Sequence, residues 1–512
     1  MSEIYRVVSE LSGGYYTAQV VTVICFFMIG LAVVKADRLK GIWAYLYAFP
    51  VGLAVFSVGG YLMLCLGIPF NSISVTVLMA AVFAGCLIID CRHRLVDIKK
   101  ELLLLMVSLL VVTVLAAVFT ANIFDVLTDN DTFYYFSTFP EAIVREGRYI
   151  RYFDTFLTDS APIGSIVYTL PYLFGFGETF GILYMLDLNF LLIFAYALYR
   201  AQRDRYTAAG AACISAVTTA FLATSSAYLT TAKWVMAGVY FMSYYFFTVI
   251  LGYEVCRDTE QRPCAVLMLM SVMTAMLRHE GIIFVLVLVI LLSVRSGHSL
   301  REVLLTYILP VFICAGLYYI RVFAILKVAP LYAFLTPAKG MLLLAAVVCT
   351  GLLVCILHVF AEKKTVGFAA GHMYTILPAV LMLLNLMLLV LRKDEYLVNL
   401  RTFYGNLRTR AGWGYFGYIA ALLVAVLALR AIVRREFRLS FYDSLMISYV
   451  LAVVIASFGR GFALRIGVGD SGNRVLLTAV PIIVFGMTMR LMAYEEKGAC
   501  EHKARSAPDS SV

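Results

Sequence analysis

The segment LLLLMVSLLVVTVLAAVFTA (residues 102–121) carries no charge and runs straight into NIFDVLTDNDTFYYF (residues 122–136), where acids and aromatics take over. An apolar run of this kind crosses a bilayer as a helix, because about 20 apolar residues match the hydrocarbon thickness. Lys99 and Lys100 stand before it, and Asp129 and Asp131 follow it. The positive-inside bias therefore places the two lysines on the cytoplasmic side and the acidic segment outside.

The pattern repeats in both directions. Upstream, Tyr15–Val34, Ile42–Gly67 and Ser74–Ile89 read as spans, with Lys35, Arg38 and Lys40 on one side, an uncharged link around Pro69 on the other, and Arg92 and Arg94 back on the first. Met1 to Arg6 lacks the basic start of a signal peptide, so the first apolar run is expected to be retained. Downstream spans are expected from Thr179–Tyr199 onward, ending with Phe441–Phe458 and Val475–Tyr494. Cys264–Leu277 and Ile282–Val294 are short for a crossing, so they should be thinly embedded or bracket a sunken site. Ile163–Phe176, broken by Pro171 and Gly175, reads as re-entrant or interfacial.

The fold class is all-α, a polytopic transmembrane helical bundle of about 13 to 15 spans, with a long extracytoplasmic loop bearing short helices. Residues 1–494 form one integral membrane domain, residues 122–162 its first large extracytoplasmic loop, and residues 495–512 a disordered cytoplasmic tail. One link breaks the alternation of charge. Arg392–Trp413 carries Arg392, Lys393, Arg401, Arg408 and Arg410 on the expected outer face, so either it binds an anion or one span is miscounted.

Composition agrees. Hydrophobic residues make up 62% of the 512 and charged residues 14%, and the mean hydropathy is +0.91, which excludes a soluble fold. The net charge of +10 sits in short links between spans, so it is topological and implies no nucleic-acid partner. The cysteines show no metal-ligand spacing and fall in spans or on the cytoplasmic side, which points to reduced thiols.

Chemistry is expected where polar groups gather. Asp129 or Asp131 can cap the next helix, but two acids flanking Asn130 at a membrane boundary also suit a general base or a cation site. Tyr134 belongs to the aromatic belt that follows. Pro140-Glu141 and Gly147 read as the start and stop of a short helix, and Arg145, Arg148 and Arg151 as surface charge. Arg278-His279-Glu280-Gly281 is either a hydrophilic turn or a site in which Arg278 offers a fork to phosphate, with His279 and Glu280 positioning an acceptor or a cation. Arg460, Arg465 and Arg474, around a glycine-rich stretch, form a second phosphate candidate.

Taken together, Asp129-Asn130-Asp131 with Tyr134, Arg145-Glu146-Gly147, Ala161-Pro162-Ile163-Gly164, Asp187-Leu188-Asn189 leading to Tyr199-Arg200, Arg278-His279-Glu280-Gly281 and Asn473-Arg474 resemble the GT-C superfamily of polytopic glycosyltransferases. The resemblance covers about Thr128 to Arg295 and is looser beyond. Two departures stand out: the acidic loop follows the fourth span where the family's follows the first, and Asn130 separates acids that are adjacent in many members.

The resemblance implies an inverting enzyme that moves a sugar from a polyprenyl-phosphate donor to a glycan, lipid or protein acceptor. Asp131 or Asp129 would be the base, and Arg278, Arg474 and Arg460 the phosphate contacts. No cofactor is required, and no metal ligand is assigned, although Asp129, Asp131 and Glu280 can recruit Mg²⁺ or Mn²⁺. A bacterial cytoplasmic membrane with the site facing outward is the expected location. Other readings of the same residues are a polysaccharide polymerase, an O-acyltransferase using His279, and a lipid or oligosaccharide flippase. The flippase predicts charges near the midplane and two related halves, whereas the charges here cluster at span ends.

Overall fold

The computed structural model describes residues 2–93, 98–119, 134–159, 163–175, 180–233, 237–255, 264–294, 299–328, 335–360, 364–408, 439–458 and 475–492, with isolated positions between 418 and 432. Every regular element among them is helical. That is the expected solution for a chain in hydrocarbon, where each backbone N–H and C=O must be satisfied within its own segment.

The chain opens with α1 (Ser2–Ala36), α2 (Ile42–Leu66), α3 (Ser72–His93) and α4 (Ile98–Phe119). A π-helical turn over Tyr134–Thr138 then leads into four short helices, α5 (Phe139–Glu146), α6 (Asp154–Asp159), α7 (Gly164–Val167) and α8 (Leu170–Phe174). The bundle continues with α9 (Phe180–Arg203), α10 (Ala208–Thr224), α11 (Ser226–Lys233), α12 (Ala237–Tyr253), α13 (Cys264–Leu277) and α14 (Gly281–Ser293). It closes with α15 (Leu300–Ile325), α16 (Pro337–Val359), α17 (Lys364–Gly371), α18 (Met373–Leu391), α19 (Lys393–Arg408), α20 (Phe441–Phe458) and α21 (Val475–Met492).

Eight of the described helices, α1 to α3, α15, α16, α18, α20 and α21, are long and apolar enough to span a membrane, and shorter apolar helices, α13 and α14 among them, stand beside them. Burial sorts the eight by position. The window in α2 is 83% buried, so α2 is central, whereas those in α3 and α18 are 11% buried. An apolar helix with that much outward surface is stable only against lipid.

The tightest crossing joins α1 to α2. A Cβ on Gly30 would stand 1.7 Å from the Ala48 carbonyl oxygen, and one on Gly52 would stand 1.8 Å from that of Phe26. Small residues at such a crossing let two backbones approach and gain dispersion contacts that lipid cannot supply. Tyrosine hydroxyls tie α2 to its other neighbours: Tyr244 of α12 donates to the Pro50 carbonyl at 2.7 Å, and Tyr61 of α2 donates to the Cys314 carbonyl of α15 at 2.5 Å.

The two ends of the bundle differ. At one end the Asp37 carboxylate accepts from the Val266 N–H at 2.8 Å and caps α13 from a distant part of the chain. Burial raises the Asp37 carboxyl to about 6, although the N–H groups of Val266, Ala265 and Cys264 pull it back. Arg490 pairs with Asp443 there, and Tyr442 donates to Glu254 at 2.7 Å. Lys35, Arg200 and Arg203 belong to the same end. The basic residues at the ends of α1 and α9 thus gather at one end of the bundle.

The opposite end carries the first long loop, and the Phe70 N–H beside α2 donates to the Gly147 carbonyl at 2.8 Å. Short helices form in that loop as expected: α5 has Pro140 in its first turn and stops at Gly147 with φ 64°, and α8 stops at Gly175 with φ 65°. The link that begins at Arg392 starts as a helix. Residues 393–408 form α19, and Arg392 pairs with Glu395 at 2.5 Å while lying over the Phe458 ring. Acids in its first turn and an amphipathic sequence favour a helix resting at the bilayer surface. The eight cysteines whose side chains are described are free thiols.

Replacing Gly30 by Val forces α1 from α2 and should lower stability by about 1–3 kcal/mol. Thermal unfolding of the detergent-solubilised protein measures this, and a variant as stable as the wild type would contradict the crossing.

Candidate functional site

The turn between α13 and α14 is compact because its glycine has no alternative. A Cβ on Gly281 would lie 2.4 Å from the Thr274 carbonyl oxygen, so only glycine lets α14 start this close to α13. Within the turn, Arg278 Nε donates to Glu280 Oε1 at 2.7 Å, with side chains only 15% and 12% exposed. A pair this sheltered from water gains more from its charge-assisted bond than a surface pair does. Burial alone raises the Glu280 carboxyl, but the Arg278 guanidinium, a backbone hydrogen bond and His279 outweigh it and hold it below the usual carboxylate range.

Glu280 is therefore ionised at neutral pH and serves as a clamp on Arg278. Nε makes that bond, and the guanidinium carries two further Nη groups able to donate. His279 is 5% exposed, and its ring lies 6.3 Å from that of Tyr318.

The first long loop docks directly on this turn. The Ile163 N–H donates to the Met276 carbonyl at 3.1 Å, at the very end of α13. Tyr318 of α15 donates to the Leu157 carbonyl of α6 at 2.5 Å, and the Leu335 N–H reaches the Thr158 carbonyl at 3.0 Å. An aromatic cluster fills the space beneath. Phe139 stacks on Phe156 at 4.9 Å and Tyr149 meets Tyr318 edge-on at 6.2 Å, arrangements that add attraction beyond their buried area.

A third segment arrives through Tyr449 of α20. Its ring stacks on Phe284 at 4.3 Å, and it lies within electrostatic reach of Arg278 and Glu280. Its hydroxyl donates to the Val475 carbonyl at 2.9 Å and shares a 2.6 Å bond with Thr478. The start of α21 is thus held next to the Arg278 turn.

Among the residues expected from sequence, Arg278, His279 and Glu280 come together at the loop end. Asp129, Asp131, Arg460 and Arg474 lie outside the described residues, as does the side chain of Tyr134, whose backbone opens the π-helical turn. Arg145 is exposed and paired with Glu146 at 3.4 Å, and Arg148 and Arg151 are exposed, in line with surface charge. Asp187 of α9 accepts from Tyr228 at 3.4 Å, while Asn189 bonds back to its own helix at Met185. Tyr318 and Tyr449, which join the site's segments, gave no sequence signal beyond being aromatic.

Among the described residues, no group of three His, Cys, Asp or Glu is placed to hold a metal ion. An apolar cavity of about 550 Å³ opens between α1 and α3, bordered by Phe56 of α2 and Phe174 of α8. Its lining comes from apolar residues of these helices and suits hydrocarbon rather than a polar group. No protein-family model matches this chain, and no curated protein or solved structure matches it.

Glu280→Gln leaves Arg278 half-buried without its anion and should cost about 2 kcal/mol or more at pH 7. Because the folded carboxyl is depressed, its contribution is present above the ordinary value of about 4.3 and fades as pH falls through the folded value. Thermal unfolding across pH 3 to 7 should therefore show the wild type losing stability toward acid while the variant stays flatter; parallel curves would contradict the pairing.

Proposed function

We propose that the protein is a membrane glycosyltransferase of the GT-C type, moving a sugar from a polyprenyl-phosphate donor to an acceptor at the non-cytoplasmic face of a bacterial cytoplasmic membrane. The observation that carries this reading is the docking of the first long loop on the Arg278–Glu280 turn, through the Ile163 to Met276 bond. A lipid-linked sugar keeps its phosphate at the membrane boundary and its tail in hydrocarbon. An enzyme for it needs a boundary cation, a nearby acid and apolar room beside the spans.

In this mechanism Asp131, or else Asp129, takes the proton of an acceptor hydroxyl as its oxygen bonds to the anomeric carbon. The bond from that carbon to the phosphate oxygen breaks, the electron pair leaves with the polyprenyl phosphate, and the configuration inverts. Arg278, with Arg474 and Arg460, neutralises the departing phosphate, an electrostatic contribution that grows where water is excluded. The ionised Glu280 keeps Arg278 aimed, and with arginines on the phosphate the chemistry does not demand Mg²⁺ or Mn²⁺. Glycan, lipid and protein acceptors all fit this scheme. Sugar transfer is preferred to O-acyl transfer because His279 is buried against Tyr318, a poor place for a base that must reach an acyl donor.

Asp131→Asn and Asp129→Asn, made singly and assayed in proteoliposomes with polyprenyl-phosphate sugars, should cut transfer by about 10²- to 10⁴-fold in one of the two. Full activity in both would end the proposal.

A further inference from the structure

Arg321 stands apart from the other sheltered arginines. Arg278 faces Glu280 and Arg490 faces Asp443. Among the described residues Arg321 has no carboxylate partner, and its Nε is buried without a hydrogen-bond acceptor. A half-buried guanidinium left this way is costly, because a charge withdrawn from water needs an opposite charge or acceptors in its place.

Its setting is specific. The guanidinium lies against Gly67 at the end of α2: Nη1 would be 3.2 Å, and Nη2 and Cζ 3.6 Å, from a Cβ placed there. Gly67 also has φ +75°, so glycine is needed both for the turn and for room beside the arginine. The plainer reading is that Arg321 offsets the negative end of the α2 dipole. Two of the last carbonyls of α2 are already taken, however: Gly67 N–H donates to Leu64, and Ile68 N–H to Met63. No hydrogen bond runs from Arg321 to them.

Neither the α2 turn, residues 67–71, nor the end of α15, residues 316–328, contains an acid, while Lys327 adds a second cation. Lys327 is exposed and has φ +51°, where the chain turns away as the Val328 N–H closes on Val322 at 3.1 Å. Both cations stand where an apolar span ends, at the same end of the bundle as the first long loop.

We infer that Arg321, seated on Gly67 and supported by Lys327, is an anion site for a phosphate group at the membrane boundary. The planar fork matches phosphate geometry bidentately, and the span's end sets it at the level where lipid headgroups lie. The site stands whether or not the protein transfers sugar. A lipid headgroup and free phosphate share this chemistry, and their affinities tell them apart.

The test uses the full-length protein in phosphatidylcholine nanodiscs, titrated separately with short-chain phosphatidic acid and with inorganic phosphate and read as a shift in thermal unfolding. The wild type and Arg145→Gln, a change in an exposed surface pair, should bind alike, and Arg321→Gln should lose at least tenfold in affinity. Tighter binding of the phosphatidic acid identifies a lipid headgroup, and equal binding identifies free phosphate; each supports the site if it depends on Arg321. Wild-type affinity for both in Arg321→Gln overturns it. If that variant does not fold, a photoactivatable phosphatidic acid on the wild type decides: labelling within residues 67–71 or 316–328 supports the site, and labelling confined elsewhere overturns it.

Discussion

The backbone of a loop at a membrane boundary has to find hydrogen-bond partners with little water on one side, and here it finds them on helix ends and tyrosines. Ile163 closes on Met276, Tyr318 closes on Leu157, and Tyr449 closes on Val475. Each bond spends a polar group that would otherwise be stranded next to hydrocarbon. Together they gather three distant segments around one turn, whose glycine admits no side chain. The Arg278–Glu280 pair is sheltered because this packing covers it.

Much of the architecture was legible in the sequence because membrane spans obey simple rules. Apolar length, the side on which Lys and Arg fall, and Pro140 and Gly147 as helix punctuation each act locally, and the structure follows them in α2, α5 and the broken pair α7 and α8. The Arg278 turn was legible for the same reason, as a charged interruption between two short apolar runs. The link after Arg392 stood out in sequence for basic residues on the expected outer face, a pattern that does not announce a helix. Its helix rests on Glu395 pairing with Arg392 and on contact with Phe458, which lies in a different span.

What the sequence did not reveal are the long-range partners. Nothing near Tyr318 says that it will hold a carbonyl on α6, and nothing near Tyr449 links it to α21, because in a chain with so many aromatics no single tyrosine stands out. Arg321 reads in sequence as an ordinary end-of-span cation. Only its placement against Gly67, with no carboxylate partner among the described residues, gives it meaning. In the same way Glu280 reads as a candidate ligand or base until its carboxylate is seen gripping Arg278, which recasts it as the group that aims the cation.

In the proposed enzyme a boundary carboxylate and the Arg278 fork share one cavity with a lipid-borne phosphate. The most direct measurement is an experimental density map of the full-length protein in a lipid nanodisc with polyprenyl phosphate bound. The phosphate should sit on the outer edge of the Arg278 fork, with the carboxylate of Asp131 or Asp129 and the guanidinium of Arg474 opening into the same space. Phosphate bound only at the Arg490 end, or an Arg278 fork sealed within protein and distant from both acids, would contradict it.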